Sequence, residues 1–333
     1  MANKDKNEDY EAEVIREMEP FVRGKLKYLI GDKRKWWASQ WFNFMEKDDE
    51  ECFDKLKELR EEVRELRDEE LVVLVGNEVT EEALPNYATR LANLYPDSSG
   101  VSQNAWSIWL RGWLAEEKQH GKVLDGYLLL GGRVNKKAVD ISIESLIAKG
   151  MEHQPGIFEG IIYPAFQEPA TALSHMNMAK IARKRGVQTL YDICSNIAQD
   201  ESRHAKFYAD MVVELMNREP ERTIIAYGKL MKNGVVMPAK NMIDETYTEP
   251  PTLFEHFAGV ADKIGVYTTL DYAKIVNKLN KTFKVADASV KGEAAKAQEY
   301  LCNLPGRLEK FAERTKYRMT EKVKFDWLWG RTA

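Results

Sequence analysis

The sequence predicts an all-α protein, a four-helix bundle with additional flanking helices. Two observations lead there. Apolar residues recur at helical spacing through nearly all of the 333 residues. Two strings, Glu117-Lys118-Gln119-His120 and Glu201-Ser202-Arg203-His204, repeat one chemical pattern 84 positions apart, each near the middle of a long helical stretch. Such repetition is typical of a bundle built from two related helix pairs.

The elements follow in chain order. Residues 46–70 are rich in Glu, Lys, Leu and Arg at helical spacing, and 71–94 continues the pattern through Leu74, Leu84, Leu91 and Leu94. Pro85 is expected to kink that helix or restart it. Residues 103–130 form one long helix carrying Trp106, Trp109 and Trp113, stopped by Gly131-Gly132. A helix over 136–149 is stopped by Gly150. Residues 156–182 contain Pro164 and Pro169, so that helix should be irregular early and regular from Ala170. The helix over 189–216 is long and regular, closed by Pro220. Shorter helices are expected at 222–232, 253–264, 270–279 and 294–317, and a strand only at 282–285. No linker interrupts the chain, which reads as a single domain over 1–333 with a flexible segment at 1–20.

Composition excludes several classes. The net charge of −4 disfavours a nucleic-acid partner. No apolar run is long enough to span a bilayer. The first residues show neither the apolar stretch of a signal peptide nor the composition of a transit peptide. Cys52, Cys194 and Cys302 have no paired spacing, which suits a reducing compartment. Arg23, Lys25, Lys27, Lys33, Arg34 and Lys35 sit together with only Asp32 opposing; they read as a solvated face or as a landing patch for an acidic partner.

The two repeated strings carry the chemistry. Residues three apart share a helix face, so each string is able to clamp one metal ion. Two such helices, with a Glu from each of two others, make the ligand set of a carboxylate-bridged di-iron site in a bundle. Antiparallel neighbours joined by a short loop place mid-height ligands about 30–36 residues apart. Glu81 to Glu117 is 36 and Glu168 to Glu201 is 33, while Glu117 to Glu168 is 51, as a crossover requires. Spacing leaves Glu81 and Glu82 open. Four carboxylates and two imidazoles suit iron or manganese. Glu116 and Asp200 each precede a ligand Glu and are placed to accept the outer N–H of the opposite imidazole. Thr171 follows Glu168 by almost one turn and is placed to aim a hydroxyl at oxygen. His175 and the tryptophan stripe read as core. Tyr208 reads as packing, with a radical site as its rival.

Several strings match a known family. Val72-Val73-Leu74-Val75-Gly76, Thr80-Glu81-Glu82-Ala83-Leu84-Pro85, Ala115-Glu116-Glu117-Lys118-Gln119-His120-Gly121, Phe166-Gln167-Glu168-Pro169-Ala170-Thr171, Asp200-Glu201-Ser202-Arg203-His204 and Met237-Pro238-Ala239 are among them. From about residue 20 onward the chain resembles the soluble plant-type acyl-carrier-protein desaturases of the ferritin-like di-iron superfamily. The resemblance implies Glu81, Glu117, His120, Glu168, Glu201 and His204 as ligands of two iron ions. Glu117 and Glu201 would bridge, and Glu81 is preferred to Glu82. It implies Thr171 at the oxygen pocket and an acyl tunnel beside the metals. Asp200 would link His120 to a surface tryptophan on the electron path, aligned with Trp37, with Trp36 and Trp41 as rivals. It also implies a homodimer, ferredoxin as donor and acyl-carrier protein as substrate carrier. The compartment would be the cytoplasm, or the plastid stroma for a mature plant-type chain. A carrier-bound hydroxylase and an iron-storage protein are the alternatives. Three departures bear on the substrate: Lys232-Asn233-Gly234 replaces a triple-basic run, Arg90 stands at an apolar position near the tunnel, and the loop before Tyr163 is shorter.

Overall fold

The computed structural model describes residues 2–92, 101–151, 156–235, 237–244, 247, 251–315 and 322–333. Its helices are α1 (Ala2–Glu17), α2 (Glu19–Lys25), α3 (Asp49–Arg64), α4 (Asp68–Glu82), α5 (Leu84–Ala92), α6 (Ala105–Gly131), α7 (Lys136–Lys149), α8 (Ile157–Arg185), α9 (Gln188–Arg218), α10 (Pro220–Asn233), α11 (Leu253–Ile264), α12 (Thr269–Thr282) and α13 (Gly292–Thr315). The expected ends at Leu94 and Tyr317, His153, and part of the loop before Tyr163 lie outside the described residues.

Four of these helices form the bundle. α4 packs on α6 and α8, and α9 packs on the same two, closing a square. α4 is buried nearly all round, from Glu70 to Glu81, because α7 and α11 cover its outer side. That accounts for a near-continuous apolar run, Leu71 to Val75, in place of an amphipathic stripe. The α8–α9 turn is tight because Gly186 takes φ +78°, a left-handed conformation natural to glycine.

Several expectations are corrected. The 46–70 stretch is not one helix: α3 ends at Arg64 and α4 begins at Asp68. Pro85 restarts the chain as α5, as expected. α8, however, runs unbroken through Pro164 and Pro169. Packing along α9 and α10 holds the helix where local propensity would break it. The expected strand at 282–285 is absent. Phe283 and Val285 are buried and Lys284 is exposed, a strand-like alternation, but it comes from Lys284 turning left-handed at φ 52°. The strand pair among the described residues is β1 (Lys324–Phe325) with β2 (Arg331–Thr332), antiparallel. The segment expected to be a flexible N-terminal arm holds α1, with Val14, Ile15 and Met18 buried in the core.

Candidate metal centre

α4, α6, α8 and α9 bring six side chains together, near the middle of α6, α8 and α9 and in the last turn of α4. Glu81, Glu117, His120 and Glu201 each offer one donor atom within 4.8 Å of the others, and so do Glu117, Glu168, Glu201 and His204. Glu117 and Glu201 belong to both groups. All six residues are buried. Glu82, the rival of Glu81, turns outward to Lys118, at 3.1 Å. Gly121 makes room for it, since a Cβ there would collide with the Glu82 carboxylate.

Both imidazoles present Nδ1 to the centre. His120 Nδ1 lies 3.1 Å from Glu117 and 3.3 Å from Glu201. His204 Nδ1 lies 2.7 Å from Glu117 Oε1, yet both atoms lack a hydrogen bond among the described residues. Glu168 Oε1 and Glu201 Oε2 are likewise buried without a partner. Donor atoms that face one another this closely without hydrogen-bond geometry fit a shared cation. The outer nitrogens are anchored: His204 Nε2 reaches Glu116 at 3.1 Å and His120 Nε2 reaches Asp200 at 3.4 Å. Such carboxylates fix ring orientation and tautomer in metal sites.

The electrostatics follow from burial and crowding. Burial, with the charge of Glu201, pushes the Glu168 carboxyl well up. Burial and the charge of Glu117 raise Glu201. Burial opposes charge on both imidazoles, but the Glu117 carboxylate and its neighbours outweigh it and raise them well above the ordinary range. Burial also opposes ionisation of Glu81, where bonds from His120 and His175 win and hold the carboxyl at about 2. The cluster concentrates negative charge that only cations or protons balance.

The surrounding residues sort as follows. His175 is core, as expected, and its Nε2 bonds Glu81 at 2.7 Å. Thr171 is buried and donates to the carbonyls of Gln167 and Glu168. Trp106, Trp109, Trp113 and Tyr208 are buried packing, with Trp109 Nε1 donating to the Tyr208 hydroxyl. Trp37 is 52% exposed, whereas Trp36 stacks on His120 at 5.9 Å and 13°; Trp109 and Trp113 lie edge-on to His204. Arg34 lies over Trp36 at 4.7 Å and over Trp37 at 6.0 Å. It does not belong to a surface patch: it is buried and pairs with Asp200 at 3.2 Å. Lys25 pairs with Asp210 and Arg23 with Glu19. Lys27, Lys33 and Lys35 are exposed. Arg203, inside the second string, bonds both Glu116 and Asp200 and so ties the two imidazole anchors together, a link sequence spacing alone did not suggest. Arg90 is half-buried over the Tyr163 ring at 4.2 Å.

A mostly apolar cavity of about 960 Å³ adjoins the cluster. Thr80, Gln167 and Thr171 line it, each within three residues of Glu81 or Glu168. Phe166, Met231, Phe254, Phe257 and Leu304 form much of the rest, and Lys232, Asn233 and Gly234 also line it.

Comparison with known proteins gives the family. The sequence model of the family described as fatty acid desaturase matches residues 10–329. The chain is 40% identical over 331 residues to stearoyl-[acyl-carrier-protein] 9-desaturase 3, chloroplastic, of Arabidopsis thaliana, covering 96% of this chain and 81% of that one. It is 40% identical over 329 residues to acyl-[acyl-carrier-protein] desaturase, chloroplastic, of Cucumis sativus, with 96% and 81% covered. The X-ray structure of DesA2 from Mycobacterium tuberculosis H37Rv, described as an acyl-ACP desaturase, superposes with a TM-score of 0.52 over 85% of this chain and 99% of that one, at 16% identity, a likeness of fold. No helix among the described residues is long and apolar enough to cross a membrane. With its buried Glu and His cluster compatible with a metal site, the chain belongs to the fatty acid desaturase family.

Proposed function

We propose that this protein introduces a cis double bond into a saturated acyl chain held as an acyl-carrier-protein thioester, using oxygen at two iron ions. The observation that carries the reading is an apolar cavity lined by Thr80, Gln167 and Thr171, the residues beside Glu81 and one turn around Glu168 in the same helices as the cluster. The overall change balances as R–CH2–CH2–R′ + O2 + 2e− + 2H+ → R–CH=CH–R′ + 2H2O. The two electrons come from reduced ferredoxin.

The bound irons would supply oxygen activation. Glu81, Glu117 and His120 would hold one and Glu168, Glu201 and His204 the other, with Glu117 and Glu201 shared. Four carboxylates nearly neutralise two divalent ions, which makes burial tolerable. Glu116 and Asp200 keep each Nδ1 aimed inward by holding Nε2. The cavity holds the methylene chain in place by contact and excludes water from the reacting carbons. Thr171 lines the cavity almost one turn past Glu168, with its hydroxyl bonded to the carbonyls of its own helix. Asp200, bonded to His120 and paired with Arg34, joins the site to the buried Trp36 and to Trp37 on the outer face, where the donor would deliver electrons. The exposed Lys27, Lys33 and Lys35 suit an acidic partner, although none of them lines the cavity. A homodimer in the cytoplasm or stroma completes the reading.

Product mass tests it. Incubation of iron-loaded protein with a panel of acyl-carrier proteins, ferredoxin, its reductase and oxygen should yield a chain lighter by two hydrogens. A gain of one oxygen would assign hydroxylation instead, and no product from any chain would refute the reading.

A further inference from the structure

The cavity wall carries a polar group that oxygen chemistry does not require. Asn77 is only 6% exposed, on α4, between Gly76 and the buried Glu78, with Val75 and Val79 two positions away. It lines the cavity beside Ser174 of α8. Ser174 Oγ donates to Asn77 Oδ1 at 3.0 Å, so the carboxamide is held from the neighbouring helix α8. Its Nδ2 is buried and has no hydrogen-bond partner among the described residues. A buried N–H without an acceptor is costly, and most such groups are satisfied by a ligand, an ion or water.

The surroundings indicate what that partner is. Phe254, Phe257, Met231, Met237, Leu304 and Leu308 make the cavity suited to methylenes. Phe257 approaches α4 closely because position 76 is glycine; a Cβ there would collide with its ring. The donor thus faces a mostly apolar cavity, and Asn77 precedes Glu81 by one helical turn, about 6 Å along the axis. An acyl chain on a carrier arm has few polar atoms, and those able to accept here are carbonyl oxygens, of the thioester or of the arm's amides. A hydrogen bond from a donor fixed on the wall sets register, since sliding the chain by one methylene leaves both donor and carbonyl unpaired.

We propose that Asn77, held by Ser174, donates a hydrogen bond to a carbonyl of the bound acyl thioester and thereby fixes which C–C bond lies beside the metal centre. The proposal rests on the desaturase reading above and adds a residue that sets double-bond position.

The test uses iron-loaded full-length protein with stearoyl-acyl-carrier protein, ferredoxin, its reductase and oxygen. Double-bond position is read by mass spectrometry of disulfide adducts of the product. Wild type should give one dominant isomer. Asn77→Leu, similar in volume and without a donor, should spread the product over neighbouring positions and raise KM about 10-fold, the scale of one lost hydrogen bond. Ser174→Ala frees the carboxamide without touching its donor, and should broaden the isomers to a smaller extent. It also keeps the question open to measurement should Asn77→Leu fail to fold, as circular dichroism would reveal. A binding arm compares stearoyl-pantetheine with its thioether analogue, which lacks the thioester carbonyl. Tighter binding of the thioester by wild type and not by Asn77→Leu assigns that carbonyl. Equal binding of both by wild type, with both weakened in Asn77→Leu, assigns an amide of the arm. A single unchanged isomer and unchanged binding in both variants would overturn the proposal and leave the desaturase reading intact. Should stearoyl give no product, the chain of the panel that wild type desaturates takes its place, and absence of product from every chain would overturn that reading itself.

Discussion

Glu116 on α6 reaches across the bundle to His204 on α9, with Oε2 and Nε2 3.1 Å apart. Asp200 on α9 makes the reciprocal contact to His120 on α6. Each anchor stands one residue before a Glu of its own helix that points to the centre, so two adjacent positions serve both imidazoles. Glu116→Gln or Asp200→Asn should therefore weaken metal binding by about 10–100-fold while leaving the helices folded. Titration of the apo-protein with ferrous iron under nitrogen measures this. Unchanged affinity in both variants would mean that the anchors do not orient the rings.

The inward carboxylates repel one another, and burial and mutual charge raise Glu168 and Glu201. Bound cations relieve that repulsion. Ferrous iron at 100 times its Kd should stabilise the fold by about 2.7 kcal/mol, a rise in Tm of roughly 5 °C for a chain of this size. Glu117→Ala removes a residue common to both donor groups, and the rise should disappear. Calorimetry with and without a chelator is the check; an equal iron response in the variant would exclude Glu117 as a ligand.

Glu78 is fully buried on α4, with Lys136 2.9 Å away and its other oxygen unpartnered. Lys136 is shared with Asp125 and Asp140. Burial dominates, against the pull of Lys136, and raises the Glu78 pKa to about 8. A carboxyl raised above its ordinary 4.5 binds more protons folded than unfolded, so its contribution to stability is lost as pH rises through that interval. Glu78→Gln keeps a neutral side chain and an acceptor for Lys136. The variant should match wild type near pH 5 and denature at higher urea near pH 8.5. Parallel pH profiles would contradict a protonated Glu78.

Trp36 stacks on the His120 ring, whereas Trp37 lies outside Arg34. If electrons enter by this face, Trp36→Phe should slow reduction of the iron-loaded protein by ferredoxin more than Trp37→Phe does, with iron content unchanged. Stopped-flow spectroscopy measures both rates. Equal rates in wild type and both variants would send the electron path elsewhere.

Much of the site was legible in the chain. Two Glu-x-x-His strings on long helices carry their own geometry, because i and i+3 share a face wherever the helix points. Antiparallel spacing then selected Glu168 and narrowed the fourth helix to Glu81 or Glu82. Neighbour positions also predicted the Glu116 and Asp200 contacts. Local rules failed where packing overrules them: Pro164 and Pro169 lie inside a continuous α8, and a left-handed Lys284 imitates strand alternation.

The sequence by itself determined which residues stand at each height of the bundle, since rise per residue is a property of the helix alone. The rotation of α4, with Glu81 inward and Glu82 against Gly121, is a matter of how α4 seats on α6. The non-repetitive path between α2 and α3 carries Arg34 inward to Asp200 and Trp36 onto His120, and no periodicity encodes such a path. Asn77 reads as an ordinary polar residue in an apolar run until α8 supplies Ser174 and the cavity opens beside it. Only the tertiary structure decided these, because they depend on contacts between segments distant in the chain.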